Sequence, residues 1–156
     1  MKRFTIRKMD PKDLDEALSM AASSPNAWSK NMFVEEMRSP FSHCFVMRVE
    51  EISRHQVVGF ICFRNVGDES ELLNICVHPQ HRQSGIGKKL MKFYIDFCHQ
   101  IDIRRFHLEV DVSNHPAIHL YQLFSYQSVG VRRNFYEGRS DGLRMTRRDL
   151  NQIGKD

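Results

Sequence analysis

At 156 residues the chain has the length of one domain, with room for a core of several strands and helices. Apolar residues make up 41% and charged ones 27%, ordinary globular usage that excludes disorder and collagen-like repeats. Twenty-three Lys and Arg against nineteen Asp and Glu leave +4, which suits an acidic partner or a phosphate-bearing cofactor but falls short of a nucleic-acid footprint.

Phe4-Thr5-Ile6-Arg7 alternates like a first strand. Asp10-Pro11 then opens a helix through Leu14, Ala17, Leu18 and Ala21, with an Asp cap and a first-turn proline. Ser23-Ser24-Pro25-Asn26 breaks it, and a second helix from near Ser29 carries Met32, Phe33 and Met37 on one side. Strands are expected near His43–Val49 and Gln56–Phe63, and a third over Leu72–Val77, ended by Pro79. The clearest helix starts at Gly85 and places Ile86, Leu90, Phe93, Tyr94 and Phe97 on one face. Phe106, Leu108 and Val110 alternate with His107, Glu109 and Asp111 in a half-buried strand. A short helix follows Asn114-His115-Pro116, with Ala117, Leu120, Tyr121 and Phe124 on its face. Val129–Phe135 reads as a strand and Leu143–Thr146 as a weak final one. The order predicts an α/β fold, a mixed central sheet flanked by helices, in a single domain spanning 1–156.

No apolar run approaches the about 20 residues of a membrane-spanning helix. The first eight residues lack a signal-peptide core, so no membrane role is expected and the cytoplasm is the expected location. Cys44, Cys62, Cys76 and Cys98 form no Cys-x-x-Cys pair and read as reduced thiols, mostly within apolar stretches. Eight histidines offer a His-x-x-x-His spacing only at His115 and His119, without matching ligands, so no metal site is expected.

The informative segment is Val77-His78-Pro79-Gln80-His81-Arg82-Gln83-Ser84-Gly85-Ile86-Gly87-Lys88. A strand ends, a tight connection carries Arg-x-x-Gly-x-Gly, and an amphipathic helix starts at once. Glycines let the backbone approach a bulky ligand, and a helix start offers unpaired N–H groups and a positive dipole end. The pattern fits a pyrophosphate cradle, or simply a turn before a helix. It is neither a P-loop nor a dinucleotide fingerprint. Read from the residues alone, Glu109 fits a solvated strand face, Tyr121 a core position, Asn114 a helix cap, and Arg132-Arg133 an exposed strand edge. His78 and His81 receive no role.

Several segments together carry a resemblance. They are Ala27-Trp28-Ser29, Leu73-Asn74-Ile75-Cys76-Val77-His78-Pro79 with the Arg82–Lys88 loop, Leu108–Asn114, Ala117–Tyr121, and Arg132-Arg133-Asn134-Phe135-Tyr136. Across about Phe4 to Asp141 the chain resembles the GNAT N-acetyltransferases, and within them the bacterial ribosomal-protein-alanine (RimI) type. The resemblance implies acetyl-CoA as co-substrate and no metal. The backbone of Ile75, Cys76 and Val77 would run beside the pantetheine arm. The Arg82 loop would hold the pyrophosphate through N–H groups of Gln83, Ser84, Gly85, Ile86, Gly87 and Lys88. Asn114 would bond the cofactor near its thiol end, Glu109 would be the general base and Tyr121 the general acid. The implied acceptor is a peptide or protein N-terminus, with the N-terminal alanine of ribosomal protein bS18 as the family's expectation. The residues themselves show no aromatic-plus-basic RNA-binding motif, so no direct nucleic-acid binding is expected.

The chemistry agrees. An α-ammonium, with pKa about 7.7–8.0, must lose a proton before it attacks, and a tyrosine near pKa 10 can protonate a leaving thiolate. The alternatives are a GNAT enzyme for a small amine or a lysine side chain, and an acyl-CoA-binding module without turnover. The chain departs from the family pattern in three places. Ser125 stands where glycine is usual, Phe135-Tyr136 replaces Tyr-Tyr, and the last strand, Leu143-Arg144-Met145-Thr146-Arg147-Arg148, is basic where the family's is apolar.

Overall fold

A computed structural model describes residues 2–22, 24, 27–52, 54–133 and 140–149. Its strands are β1 (Arg3–Lys8), β2 (Ser42–Glu51), β3 (Arg54–Val66), β4 (Glu69–Val77), β5 (Arg105–Asp111), β6 (Gln127–Arg132) and β7 (Gly142–Arg148). Its helices are α1 (Leu14–Ala21), α2 (Lys30–Arg38), α3 (Ile86–His99) and α4 (His115–Leu123). The strands form one mixed sheet in the order β1-β2-β3-β4-β5-β7-β6. β4 and β5 pair in parallel, while β1–β2, β2–β3, β5–β7 and β6–β7 are antiparallel. This is the α/β architecture, and the order of elements, that the sequence predicts. No described helix is long and apolar enough to cross a membrane.

Backbone contacts group the chain into two compact units. One comprises the described residues of Met1–Arg64 and Leu73–Tyr94, the other those of Asn65–Leu72 and Ile95–Asp156.

In the first unit, Asp10 closes β1 with a reciprocal cap. Its carboxylate accepts from the Lys12 N–H at 2.8 Å, and its own N–H donates to Asp13 Oδ2 at 2.9 Å. Asp13 is only 1% exposed and takes two 2.8 Å bonds from the Arg7 guanidinium. Burial pushes the Asp13 carboxyl up, but the Arg7 bonds and the Asp10 N–H outweigh it and hold the group below its usual range. Behind this cap, α1 buries Leu14, Ala17, Met20 and Ala21, and α2 buries Phe33. Phe33 meets Trp28 and Phe60 edge-on, at centroid distances of 5.1 and 5.2 Å. Phe45 and Phe63, on the other face of β2 and β3, meet Phe93 and Tyr94 of α3 at 4.7 and 4.4 Å. The buried stripe of this part of α3 is Ile86, Leu90, Met91 and Tyr94, while Phe93, expected in that stripe, is half-buried.

The β2–β3 register shifts between Met47 and Arg48, which leaves Val58 as an extra residue on β3. Both freed backbone groups find partners. The Val57 N–H donates to Glu16 Oε2 at 2.9 Å, and the Val58 carbonyl accepts from the His78 N–H at 2.8 Å. That second bond fixes where β4 ends.

In the second unit, β5 alternates as expected, with Phe106, Leu108 and Val110 buried and the intervening side chains half-buried. The expected strand Val129–Phe135 is found as Gln127–Arg132, exposed along its whole length. Asn134, Phe135 and Tyr136 lie outside the described residues. The expected weak strand Leu143–Thr146 is in fact seven residues long and lies between β5 and β6. Its arginines do not disqualify it, because they are compensated. Arg147 lies over the Phe106 ring at 5.8 Å and bonds Asp149 Oδ1 at 3.0 Å and the Phe124 carbonyl at 3.1 Å.

Candidate functional site

In the first unit, the end of β4 leads directly into the glycine-containing loop. Pairing of β4 with β5 covers Glu69–Glu71 with Arg105–His107, so Ile75, Cys76 and Val77 lie further along the strand. Beside them the Asn74 amide nitrogen is buried, with no hydrogen-bond partner among the described residues. After Val77 the His78 ring caps the turn Pro79–His81, its Nδ1 accepting from the Gln80 N–H at 3.1 Å. Arg82 is extended, and Gln83 and Gly85 then take left-handed backbones at φ +65° and +83°. The Ser84 hydroxyl bonds the His81 carbonyl, and the Gly85 carbonyl accepts the first helical bond, from the Lys89 N–H at 3.0 Å.

The N–H groups of Ile86, Gly87 and Lys88 lie in the first turn of a fourteen-residue helix, at the positive end of its dipole. These donors, with the left-handed residues just before them, fit a pyrophosphate group. The arrangement rests on Gly59, which sequence reasoning missed. A Cβ there would come within 2.9 Å of Leu90 Cδ1, 3.1 Å of Ile86 Cγ2 and 3.1 Å of the Cys76 carbonyl oxygen. Only glycine lets the first turns of α3 lie this close to β3. The available signal was a lone glycine inside the apolar run Val57-Val58-Gly59-Phe60-Ile61, which marks close backbone approach. Burial pushes the Cys76 thiol up despite the opposing charge of Arg82.

The second unit holds Glu109, Asn114 and Tyr121. Glu109 sits on the polar face of β5 but is no solvated side chain, since it is 17% exposed. Its Oε1 lies 3.5 Å from Arg132 Nη1 and 3.8 Å from Arg144 Nη1. Its Oε2 is buried, with no hydrogen-bond partner among the described residues. Two residues back, His107 bridges Glu69 at 2.7 Å and the Thr146 hydroxyl at 2.9 Å.

Asn114 caps α4, its Oδ1 accepting from the Ala117 N–H at 3.2 Å, which leaves the amide NH₂ as the side chain's donor. Tyr121 is 6% exposed and is the one buried residue of α4. Ala117, Leu120 and Phe124, expected beside it on the apolar face, are half-buried. The helix ends in a Schellman turn built around Ser125. The Ser125 N–H donates to the Gln122 carbonyl at 3.0 Å, and the Tyr126 N–H to the Tyr121 carbonyl at 3.2 Å. The Tyr121 and Tyr126 rings meet at 5.9 Å across that turn. Ser125 therefore preserves the cap that glycine usually makes, but at a left-handed φ of +68°.

The sequence profile of the acetyltransferase (GNAT) family matches residues 12–126. The chain belongs to that family. It is 33% identical over 136 residues to a Bacillus subtilis protein named a "putative" ribosomal protein bS18-alanine N-acetyltransferase, covering 86% of this chain and 87% of that one. It is 28% identical over 147 residues to the Escherichia coli K12 ribosomal protein bS18-alanine N-acetyltransferase, covering 90% and 95%. The crystal structure of the E. coli ribosomal-protein-S18-alanine N-acetyltransferase superposes with a TM-score of 0.83 at 26% identity, covering 96% of each chain. The fold is thus the GNAT fold expected from the resemblance, and the chain is an acetyl-CoA-dependent N-acetyltransferase. Among the described residues, no three His, Cys, Asp or Glu side chains group as a metal site.

Proposed function

We propose that this GNAT enzyme acetylates the α-amine of a protein N-terminus, with the N-terminal alanine of ribosomal protein bS18 as its acceptor. Residues 1–156 are read as one N-acetyltransferase domain, since the family match at 12–126 runs through both compact units. The observation that carries the reading is Glu109, whose Oε1 is balanced by two guanidiniums while its buried Oε2 is left for an incoming proton. The names of the bS18-alanine N-acetyltransferase relatives support the choice of acceptor. A cytoplasmic setting goes with it, where four free buried cysteines stay reduced.

Acetyl-CoA supplies an activated acyl carbon. The loop N–H groups from Gln83 to Lys88 hold its pyrophosphate, and the backbone of Ile75, Cys76 and Val77 pairs with the pantetheine amides. Arg82 adds a charge at the loop entrance, and the Asn114 amide donates near the thiol end. Glu109 Oε2 takes the ammonium proton, directly or through a water, and the freed amine attacks the acetyl carbonyl. As the C–S bond breaks the Tyr121 hydroxyl protonates the thiolate, and the proton shed by the new amide nitrogen restores the tyrosine. An α-ammonium titrates about 2.5 pKa units below a lysine, so near neutral pH much more of it is ready to attack.

The test is intact-mass measurement of a short peptide beginning Ala-Arg after incubation with enzyme and acetyl-CoA. One acetyl group is expected on the free peptide and none on the same peptide with a blocked N-terminus. Equal modification of the blocked peptide would assign the chain to lysine side chains. Turnover of a polyamine in preference to the peptide would assign it to small amines.

A further inference from the structure

The basic last strand departs from the family's apolar pattern, and one of its arginines sits next to Glu109. Arg144 of β7 is the direct cross-strand neighbour of Glu109 on β5. Its guanidinium does not end there. It reaches across β5 and forks onto Glu71 of β4, with bonds of 3.0 and 3.2 Å to the two carboxylate oxygens. A bidentate fork fixes the plane and position of a guanidinium, as a single contact does not. Arg144 and Glu71 are only 35% and 34% exposed, so water screens the pair less than it would a surface pair. Held in this way, Arg144 presents Nη1 to Glu109 Oε1 at 3.8 Å. Arg132, the second cation on that oxygen, is 63% exposed and stands on the edge strand β6. The carboxylate thus has one oxygen facing fixed positive charge and the other buried, with no hydrogen-bond partner among the described residues.

We propose that Arg144, anchored by Glu71, is a positioning residue. It fixes the rotation of the Glu109 carboxylate so that Oε1 is held and Oε2 is the oxygen that meets the acceptor's proton. The proposal rests on the reading of Glu109 as the base. It assigns a role to an ion pair that the reading of Glu109 as base leaves without one.

The test combines kinetics on the Ala-Arg peptide with carboxylate-carbon NMR of enzyme labelled at Glu Cδ, the Glu109 resonance being assigned by its loss in Glu109→Gln. Arg144→Leu, which restores an apolar residue, should lower kcat by about 10- to 100-fold through misplacement of the base, with the KM for acetyl-CoA within about twofold of wild type. Glu71→Gln should lower kcat in the same direction and shift the Glu109 resonance, through its hold on Arg144. Arg144→Lys keeps the charge but not the fork and should rescue little. In the Glu109→Gln background, Arg144→Leu should have no further effect, because the residue it positions is gone.

A merely structural role for Arg144 would instead lower the melting temperature with kcat unchanged, or lower kcat by the same factor with and without Glu109→Gln. Either result overturns the proposal, as does a Glu109 resonance unmoved in both Arg144→Leu and Glu71→Gln. Slow Glu109→Gln with wild-type kcat in Arg144→Leu removes this proposal alone. Wild-type kcat in Glu109→Gln removes the base assignment, and the positioning role falls with it.

Discussion

Gly59→Ala is a one-methyl change with a defined mechanical consequence. The new Cβ would lie 2.9 Å from Leu90 Cδ1, against an optimum of about 3.5–4.0 Å for two carbons. Leu90 is fully buried and cannot swing into solvent, and Ile86, at 3.1 Å, is β-branched and 1% exposed. The third contact, the Cys76 carbonyl at 3.1 Å, is backbone. Relief therefore requires α3 to move away from β3. Overpacking of this kind costs about 1–3 kcal/mol, and the lower unfolded-state entropy of alanine offsets about 0.4–1 kcal/mol. A net loss of about 1–2 kcal/mol corresponds to a melting temperature lower by about 3–6 °C at this chain length. Because the part of α3 that moves carries the N–H groups of Ile86–Lys88, acetyl-CoA should also bind at least about threefold more weakly. Calorimetric unfolding and titration with acetyl-CoA measure the two effects. Gly130→Ala is the control, since a Cβ there meets nothing within 4 Å; it should leave affinity unchanged and raise stability by about 0.4–1 kcal/mol. Wild-type stability and affinity in Gly59→Ala would refute the idea that this glycine seats the cofactor helix.

Gly85→Val places a β-branched residue at φ +83°, a strain of about 1–2 kcal/mol at a position where an added Cβ meets nothing within 4 Å, so it should weaken acetyl-CoA binding by titration and lower the melting temperature by only a few degrees. Ser125→Gly removes the left-handed strain at the end of α4 and should raise the melting temperature, by about 0.5–1 kcal/mol of stability, without changing turnover. Asp13→Asn should destabilise the protein by about 1–2 kcal/mol near pH 7 in denaturant titrations. The Asp13 carboxyl is held below its unfolded value of about 3.9, so its contribution is present above that pH and is lost as the pH falls through the lower folded value. The gap between wild type and variant should therefore close in acid.

The fold was legible because periodicity and punctuation agreed along the chain. Asp10-Pro11 and Asn114-His115-Pro116 mark helix starts that the structure realises as caps, and the alternation of β5 is read directly from Phe106, Leu108 and Val110. The β7 strand was only half legible, since Arg144 and Arg147 resemble surface residues until Glu71, Glu109 and Phe106 are brought to them from elsewhere in the chain. The same holds for Glu109. Alternation alone puts it on a polar face and is right about the face, but the two arginines that bury it come from strands over twenty residues away in sequence. The cofactor loop was legible as glycines before a helix, but its left-handed Gln83 was not, because nothing in a glutamine announces a positive φ. Gly59 carried a signal that the apolar run around it concealed.

The measurement that bears most directly on the account is kcat/KM for the Ala-Arg peptide from about pH 6 to 9.5, in wild type, Glu109→Gln and Tyr121→Phe. Loss of the base should lower the rate by about 10²–10⁴ near pH 7, and rising pH should partly restore it as the α-amine, with pKa about 7.7–8.0, becomes neutral unaided. Tyr121→Phe lacks the acid, for which higher pH supplies no substitute, so its deficit should persist or grow while acetyl-CoA affinity stays close to wild type in both variants. Three parallel profiles with rates within about threefold of one another would contradict the account and return Glu109 and Tyr121 to structural roles.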